Sequence, residues 1–371
     1  MSPGNDHQSQ TGRPSARRSV GLAAAGSAPN QDLTAGPVGT ALSVSRFGAD
    51  QNRTGAAIAI KLAAAKLKTV LEKDPSHHVA RLAYAQLLLR LDDCDGAITV
   101  LLDGEIRNQR ISEASRLLAV AHYRLADFGK AADYQAEAIE FFEPRAATPQ
   151  RDDGRRMPLD AITAITTALD NARIPFFLAA RTLWEFATGR FAHAASPSVQ
   201  IGLPPGISND AVAVSLRGAP GFSVPFTGLE SDQYLNAQFG NTPIDVFSHQ
   251  VDSASYVFGY SSRSGDARWR VKQFALHRRS IAGRSVIVPS PLDRYLSDLY
   301  GKWREQRVGQ AFPSSAWMND ADPQASDFHI LSSAYHALKH NHYEFLKTIA
   351  LEIPASLRPI LKHLQAINSK Q

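Results

Sequence analysis

Between residues 55 and 143, apolar side chains recur at three- and four-residue spacing, with alanine and leucine dominant and little β-branched alternation. That spacing predicts amphipathic helices. After residue 158 the pattern changes. A helical run over Leu159–Asn171 gives way to the short apolar stretch Ile174–Leu178. Two-residue alternation then follows at Val199–Leu203, Val212–Leu216, Ile244–Phe247, Tyr256–Tyr260 and Trp269–Phe274, punctuated by turn residues. Helical spacing returns at Leu292–Arg304 and Phe328–Leu351. The expected architecture is an all-helical region, 47–147, then an α+β domain over 159–371, joined by a polar linker at 148–158. Residues 1–46 contain no Phe, Tyr or Trp. A segment so poor in large apolar groups cannot offset its ordering entropy and is expected to be a disordered tail.

The helical region repeats itself. Ala63, Ala97 and Ala131 are 34 residues apart, and Asp93-Cys94-Asp95-Gly96-Ala97-Ile98 aligns with Asp127-Phe128-Gly129-Lys130-Ala131-Ala132. A 34-residue period with small residues in phase resembles the tetratricopeptide repeat, an array of paired helices. Arg81 and Ser115 stand where that family often has an aromatic. The resemblance implies a concave groove lined by the first helix of each unit, here Leu82, Gln86, Leu89, Glu113, Arg116, Val120 and Tyr123. Such a groove either takes a segment of a protein partner or packs against the following domain.

Composition narrows the classes. The 371 residues are 44% hydrophobic and 20% charged, enough for packed cores. A single cysteine, Cys94, excludes an intrachain disulfide and a cysteine-rich zinc site. No apolar run spans a bilayer, and a cytoplasmic location is expected. The formal charge of +5 is uneven: residues 263–307 hold eleven Lys/Arg against four acids. That excess favours anionic partners or is a solvated basic face. His336, His340 and Glu344 share a helix face, read as polar surface. Phosphate-loop and nucleophile-elbow motifs are missing from the sequence, and no nucleic-acid partner is expected.

Several segments of the second half, in order, resemble the LicD/fukutin family of phospho-alditol and phosphocholine transferases. They are Ile174–Trp184; Gly189-Arg190-Phe191; Ser198-Val199-Gln200-Ile201-Gly202-Leu203, where the family has Asp-x-Asp-Ile-Gly; Thr242-Pro243-Ile244-Asp245-Val246-Phe247; and Val286-Ile287-Val288-Pro289 leading into Tyr295–Trp303. The resemblance implies a nucleotidyltransferase-type fold. There, carboxylates on neighbouring strands hold Mg²⁺ or Mn²⁺ against a diphosphate.

This chain departs from that pattern at the chemistry. Alternate strand positions point the same way, so Asp-x-Asp forms a clamp; here the pair is Ser198 and Gln200, and Asp245 is what remains. Asp245 is either a residual metal ligand and catalytic residue or a structural acceptor. Arg181 and Arg190, with Thr182, Ser198 and Gln200, are candidates for holding a nucleotide or glycan phosphate directly. No cofactor is expected unless the domain is active. Three functions compete: a degenerate transferase domain joined to interaction repeats beside surface-glycan modification, an active transferase using a CDP-linked donor, and a purely repeat-based interaction protein.

Overall fold

The computed structural model describes residues 53–103, 109–143, 157–189, 198–260, 268–281, 284–305 and 323–339, with single positions at 346, 349, 353, 360, 362 and 364. The tail at 1–46, linker positions 148–156, Arg190, His340 and Glu344 lie outside the described residues.

The described residues open with five helices: α1 (Arg53–Lys73), α2 (His78–Arg90), α3 (Cys94–Leu102), α4 (Ser112–Arg124) and α5 (Phe128–Glu140). The 34-residue period is visible down to single atoms. Asp92 and Ala126 both adopt left-handed backbone, with φ of 64° and 62°. The next N–H groups, on Asp93 and Asp127, bond back to Leu88 and His122 carbonyls, each at 2.9 Å, ending α2 and α4 alike. The same two aspartates then cap the following helices through the N–H groups of Gly96 and Lys130. Ala97 and Ala131 are fully buried at the helix crossings. Arg81 and Ser115, in the aromatic phase of the repeat, make polar ties instead: Arg81 to Asp103 at 2.8 Å, Ser115 Oγ to Glu137 at 3.0 Å. Each joins the first helix of a unit to the end of the second.

The second half is built on a five-stranded sheet in the order β1-β2-β5-β4-β3. Its strands are β1 (Phe177–Leu178), β2 (Val199–Leu203), β3 (Phe222–Ser223), β4 (Tyr234–Phe239) and β5 (Thr242–Ser248). Only β2 and β5 run parallel. Val199, Ile201, Leu203, Ile244 and Val246 are fully buried on one face, where α6 (Met157–Asn171) lies by β2 and β5 and α8 (Asn209–Gly218) by β4. The other face carries Gln200, Asp245 and Asn236 in one row. It is partly roofed by an aromatic cluster in which Phe247 meets Phe258, Tyr260 and Trp269. These come from a second sheet, β6 (Gln250–Asp252), β7 (Ser255–Gly259) and β8 (Arg268–Lys272), and the residue after β7. Helix α7 (Ala180–Ala187), the hairpin β9 (Ala275–Ile281) and β10 (Arg284–Ser290), and α9 (Leu292–Tyr300) complete the domain.

Two expectations are corrected. Val212–Leu216 is helix α8 rather than a strand. Ser208 caps it through Asp210 N–H, and Val212, Ala213 and Leu216 lie buried on one helical stripe. Helix α10 (Pro323–Lys339) does not join the sheet domain's core. Phe328, Leu331, Ala334 and Leu338 pack with Tyr123, Ala131 and Ile139, extending the core of the repeats. The sheet domain therefore sits, in chain order, between two parts of one helical core.

Two imidazoles set an acid limit on this fold. His249 stacks on Phe258 at 4.1 Å and His329 on Tyr260 at 4.2 Å, both buried. Burial pushes each down to about 3. An unfolded histidine titrates near 6.5, so below that pH only the unfolded chain takes up these protons. Stability is thus present above about 6.5 and lost as pH falls toward about 3. Each group is expected to cost about 2 kcal/mol on going from pH 7 to pH 5, from about 1.4 kcal/mol per pH unit. Denaturant midpoints at the two pH values check this, and His249→Phe should blunt the difference even if it changes stability at pH 7.

Candidate functional site

Three of the residues singled out in the sequence meet on the sheet. Gln200 and Asp245 are cross-strand partners on β2 and β5, and Ser198 lies two positions before Gln200 on the same face. The Asp245 carboxylate accepts hydrogen bonds from two side chains: Tyr234 Oη reaches Oδ1 at 2.8 Å and Asn236 Nδ2 the same oxygen at 3.4 Å. Ser198 and Gln200 are further polar neighbours whose donors favour its charged form. Burial pushes the carboxyl above its usual range, against the pull of these donors. Tyr234 and Tyr260 beside it are pushed well up, first by burial and then by the neighbouring carboxylate.

Gln200 does a second job. Its side-chain oxygen accepts from Arg181 N–H at 2.9 Å, satisfying a first-turn donor of α7 that has no partner within the helix. Its backbone N–H donates to Thr182 Oγ1 at 2.7 Å, and its carbonyl accepts from Ala179 N–H at 3.1 Å. Thr182 is accordingly a buried fastener between helix and strand, not a ligand contact. On its own helix, Arg181 Nε donates to Glu185 at 2.9 Å. Burial pushes the Glu185 carboxyl up, with Arg181 opposing. The cation expected to hold a phosphate is thus committed to a buried acid.

The residues present do not fit a divalent metal. Mg²⁺ and Mn²⁺ ask for several oxygen ligands with carboxylates among them, whereas Asp245 is a single carboxylate already engaged by Tyr234 and Asn236. Among the described residues no three His, Cys, Asp or Glu side chains gather as a metal site would need.

The groove face is occupied from within the chain. Arg116 pairs with Glu113 at 2.7 Å and donates through Nη1 to the Thr227 carbonyl at 3.0 Å. Burial pushes the Glu113 carboxyl up, but Arg116 outweighs it and holds it below the usual range. Gln86 donates to Glu113, and Arg124 to the Leu89 carbonyl. Val120 meets Gly228, where an added Cβ would lie 2.4 Å from Cγ1. Tyr123 stacks on Phe328 at 4.5 Å and shares a hydrogen bond with His329 at 2.9 Å. Phe226 lies under Arg90 and Arg124, and Leu229 packs beside Leu82 on the same core. Of the two uses expected for this face, packing against later segments of the chain describes Glu113, Arg116, Val120 and Tyr123.

The strap Phe226–Glu230 and the donors Tyr234 and Asn236 were not singled out in the sequence. Alternation over Tyr234–Phe239 was the available signal for the latter. Nothing local marks the former.

A tetratricopeptide-repeat family model matches residues 56–121. The match supports a protein-interaction region in the helical half of the chain. Comparison with curated proteins returns no match. No helix among the described residues is long and apolar enough to cross a membrane.

Proposed function

We propose that this chain is an interaction protein whose sheet domain derives from a metal-dependent phosphotransferase resembling the LicD/fukutin family and has lost turnover. In this reading it binds or scaffolds beside surface-glycan modification, with the repeats as its protein-facing part. The observation that carries it is the state of Asp245. It is the one acid at the three clamp positions, and its Oδ1 is held by Tyr234 and Asn236, with Ser198 and Gln200 beside it.

Three further features support the resemblance. Positions 200 and 245 are paired on parallel neighbouring strands. Helix α7 starts between β1 and β2 at Ala180-Arg181, where the resemblance implies a glycine-containing turn. Ala180 holds a φ of 43°, a conformation that favours glycine, at that turn. An active transferase would need acids that neither β2 nor β5 supplies near Asp245.

The test is calorimetric titration of the purified chain with CDP and CTP, with and without Mn²⁺, alongside an assay with a CDP-linked donor. The expected result is no metal-dependent nucleotide binding and no transfer. Tight Mn²⁺ binding or turnover overturns the inactive reading.

A further inference from the structure

Helix α1 buries one side and leaves the other bare. Ala63, Ala64 and Leu67 join a core with Ala80, Ala83 and Leu87. On the opposite side Ile58 and Leu62 stay 61% and 59% exposed. Positions 58, 62, 65 and 69 follow the spacing that makes one straight stripe on a helix. They read Ile58, Leu62, Ala65 and Thr69, the last three wholly outside the core. Exposed lysines flank the stripe on both sides, Lys61 and Lys68 along one edge, Lys66 and Lys73 along the other; Glu72 is the one acid there.

We infer that this stripe is a docking face for an acidic amphipathic helix of a protein partner. The partner's apolar ridge would lie along Ile58 and Leu62, and its carboxylates would meet the two lysine rows. Charge complementarity selects this occupant. Pairing α1 with its copy in a second molecule would set lysine rows against each other. A lipid surface is poorly served by two large apolar side chains and no aromatic ring. Residues 1–52 of the chain itself carry four arginines against three aspartates, the wrong balance to complement lysines. The inference rests on the interaction role of the repeats and names a surface for it on the side away from Thr227, Gly228 and α10, which meet Arg116, Val120 and Tyr123. It does not depend on the state of Asp245.

The experiment uses the full chain and a designed peptide of about 18 residues, long enough to form a helix, with leucines at the stripe spacing flanked by glutamates. Binding is followed by fluorescence anisotropy of the labelled peptide. The wild-type chain should bind, with affinity falling as salt rises. Leu62→Glu, an exposed change that leaves the core intact, should weaken binding at least about tenfold, the loss of one buried leucine. Lys61→Glu with Lys68→Glu should weaken it and flatten the salt dependence. No binding to wild type, or equal binding by Leu62→Glu, overturns the inference. So does association with anionic phosphatidylserine vesicles in preference to the peptide, or concentration-dependent self-association that Leu62→Glu abolishes. Slow amide exchange over 57–69 that the peptide leaves unchanged, with no peptide binding, would assign the face to the chain's own cover and overturn it too. Because the nucleotide titration reads a different surface, the two proposals fail separately.

Discussion

Replacing Gly202 with alanine should destabilise the sheet domain by about 3 kcal/mol, the upper part of the range for overpacking a core. A Cβ built at Gly202 lies 2.2 Å from Phe177 Cζ and 2.4 Å from Cε2, deep inside van der Waals contact. The two residues are cross-strand partners on β1 and β2. Ring atoms at the tip of a side chain can usually swing aside, but Phe177 is fully buried. His249, Phe274 and Tyr295 surround it at centroid distances of 5.0, 5.3 and 6.3 Å. Dense packing leaves no free volume to receive the ring. Urea unfolding of Gly202→Ala should therefore show a lower midpoint with an unchanged slope. Phe177→Leu, which shortens the ring side, should cost stability alone yet lose less than the sum when combined with Gly202→Ala. Simple additivity of the two changes would show that the ring has somewhere else to go.

Gly202 shows how unevenly the fold was written into the chain. The run Val199-Gln200-Ile201-Gly202-Leu203 announced a strand with one apolar face, and β2 takes those limits. The 34-residue spacing of Ala63, Ala97 and Ala131 announced helical pairs, because small side chains are needed wherever helices cross closely. Both signals are local. Val212-Ala213-Val214-Ser215-Leu216 satisfies two periods at once, since 212 and 216 are four apart as well as alternating. Only the Ser208 cap and the burial of Ala213 decide for helix α8. Strand β4 carries the same alternation, Leu235-Asn236-Ala237-Gln238-Phe239, and one of its polar positions, Asn236, donates to Asp245.

Contacts between distant segments left no local trace. Arg116 meets Thr227 across 111 positions, and Tyr123 meets His329 across 206. The resemblance to the repeat family implied which residues would line a concave face. It could not say that the occupant of that face is encoded later in the same chain. The site shows the same division. Alternation brought Ser198, Gln200 and Asp245 to one side of the sheet, where the resemblance implied acids at 198 and 200. That Gln200 closes the start of α7, and that Arg181 turns to Glu185, depend on where α7 lies against β2.

The largest effect should come from writing carboxylates back into positions 198 and 200. In Ser198→Asp with Gln200→Asp, three acids would share one face of two adjacent strands, two of them on neighbouring positions of the β2–β5 pair. Without metal this should destabilise the chain by about 3 kcal/mol or more, the cost of leaving a buried charge uncompensated. Two donors to Asp245 vanish at the same time, and Arg181 N–H loses its amide acceptor. Mn²⁺ should reverse part of this loss, because a ligand that binds only the folded state adds stability in step with its concentration. At a hundred times its Kd the gain is about 2.7 kcal/mol. Tyr234 and Asn236 would then supply neutral oxygens beside the carboxylates. The control is Ser198→Asn with Gln200→Asn, similar in size and without charge, whose melting temperature should ignore Mn²⁺. If the aspartate variant loses stability and Mn²⁺ restores none of it, β2 and β5 do not form a metal clamp, and the phosphotransferase origin falls with it. If the wild-type chain gains as much from Mn²⁺ as the variant, the clamp was never lost.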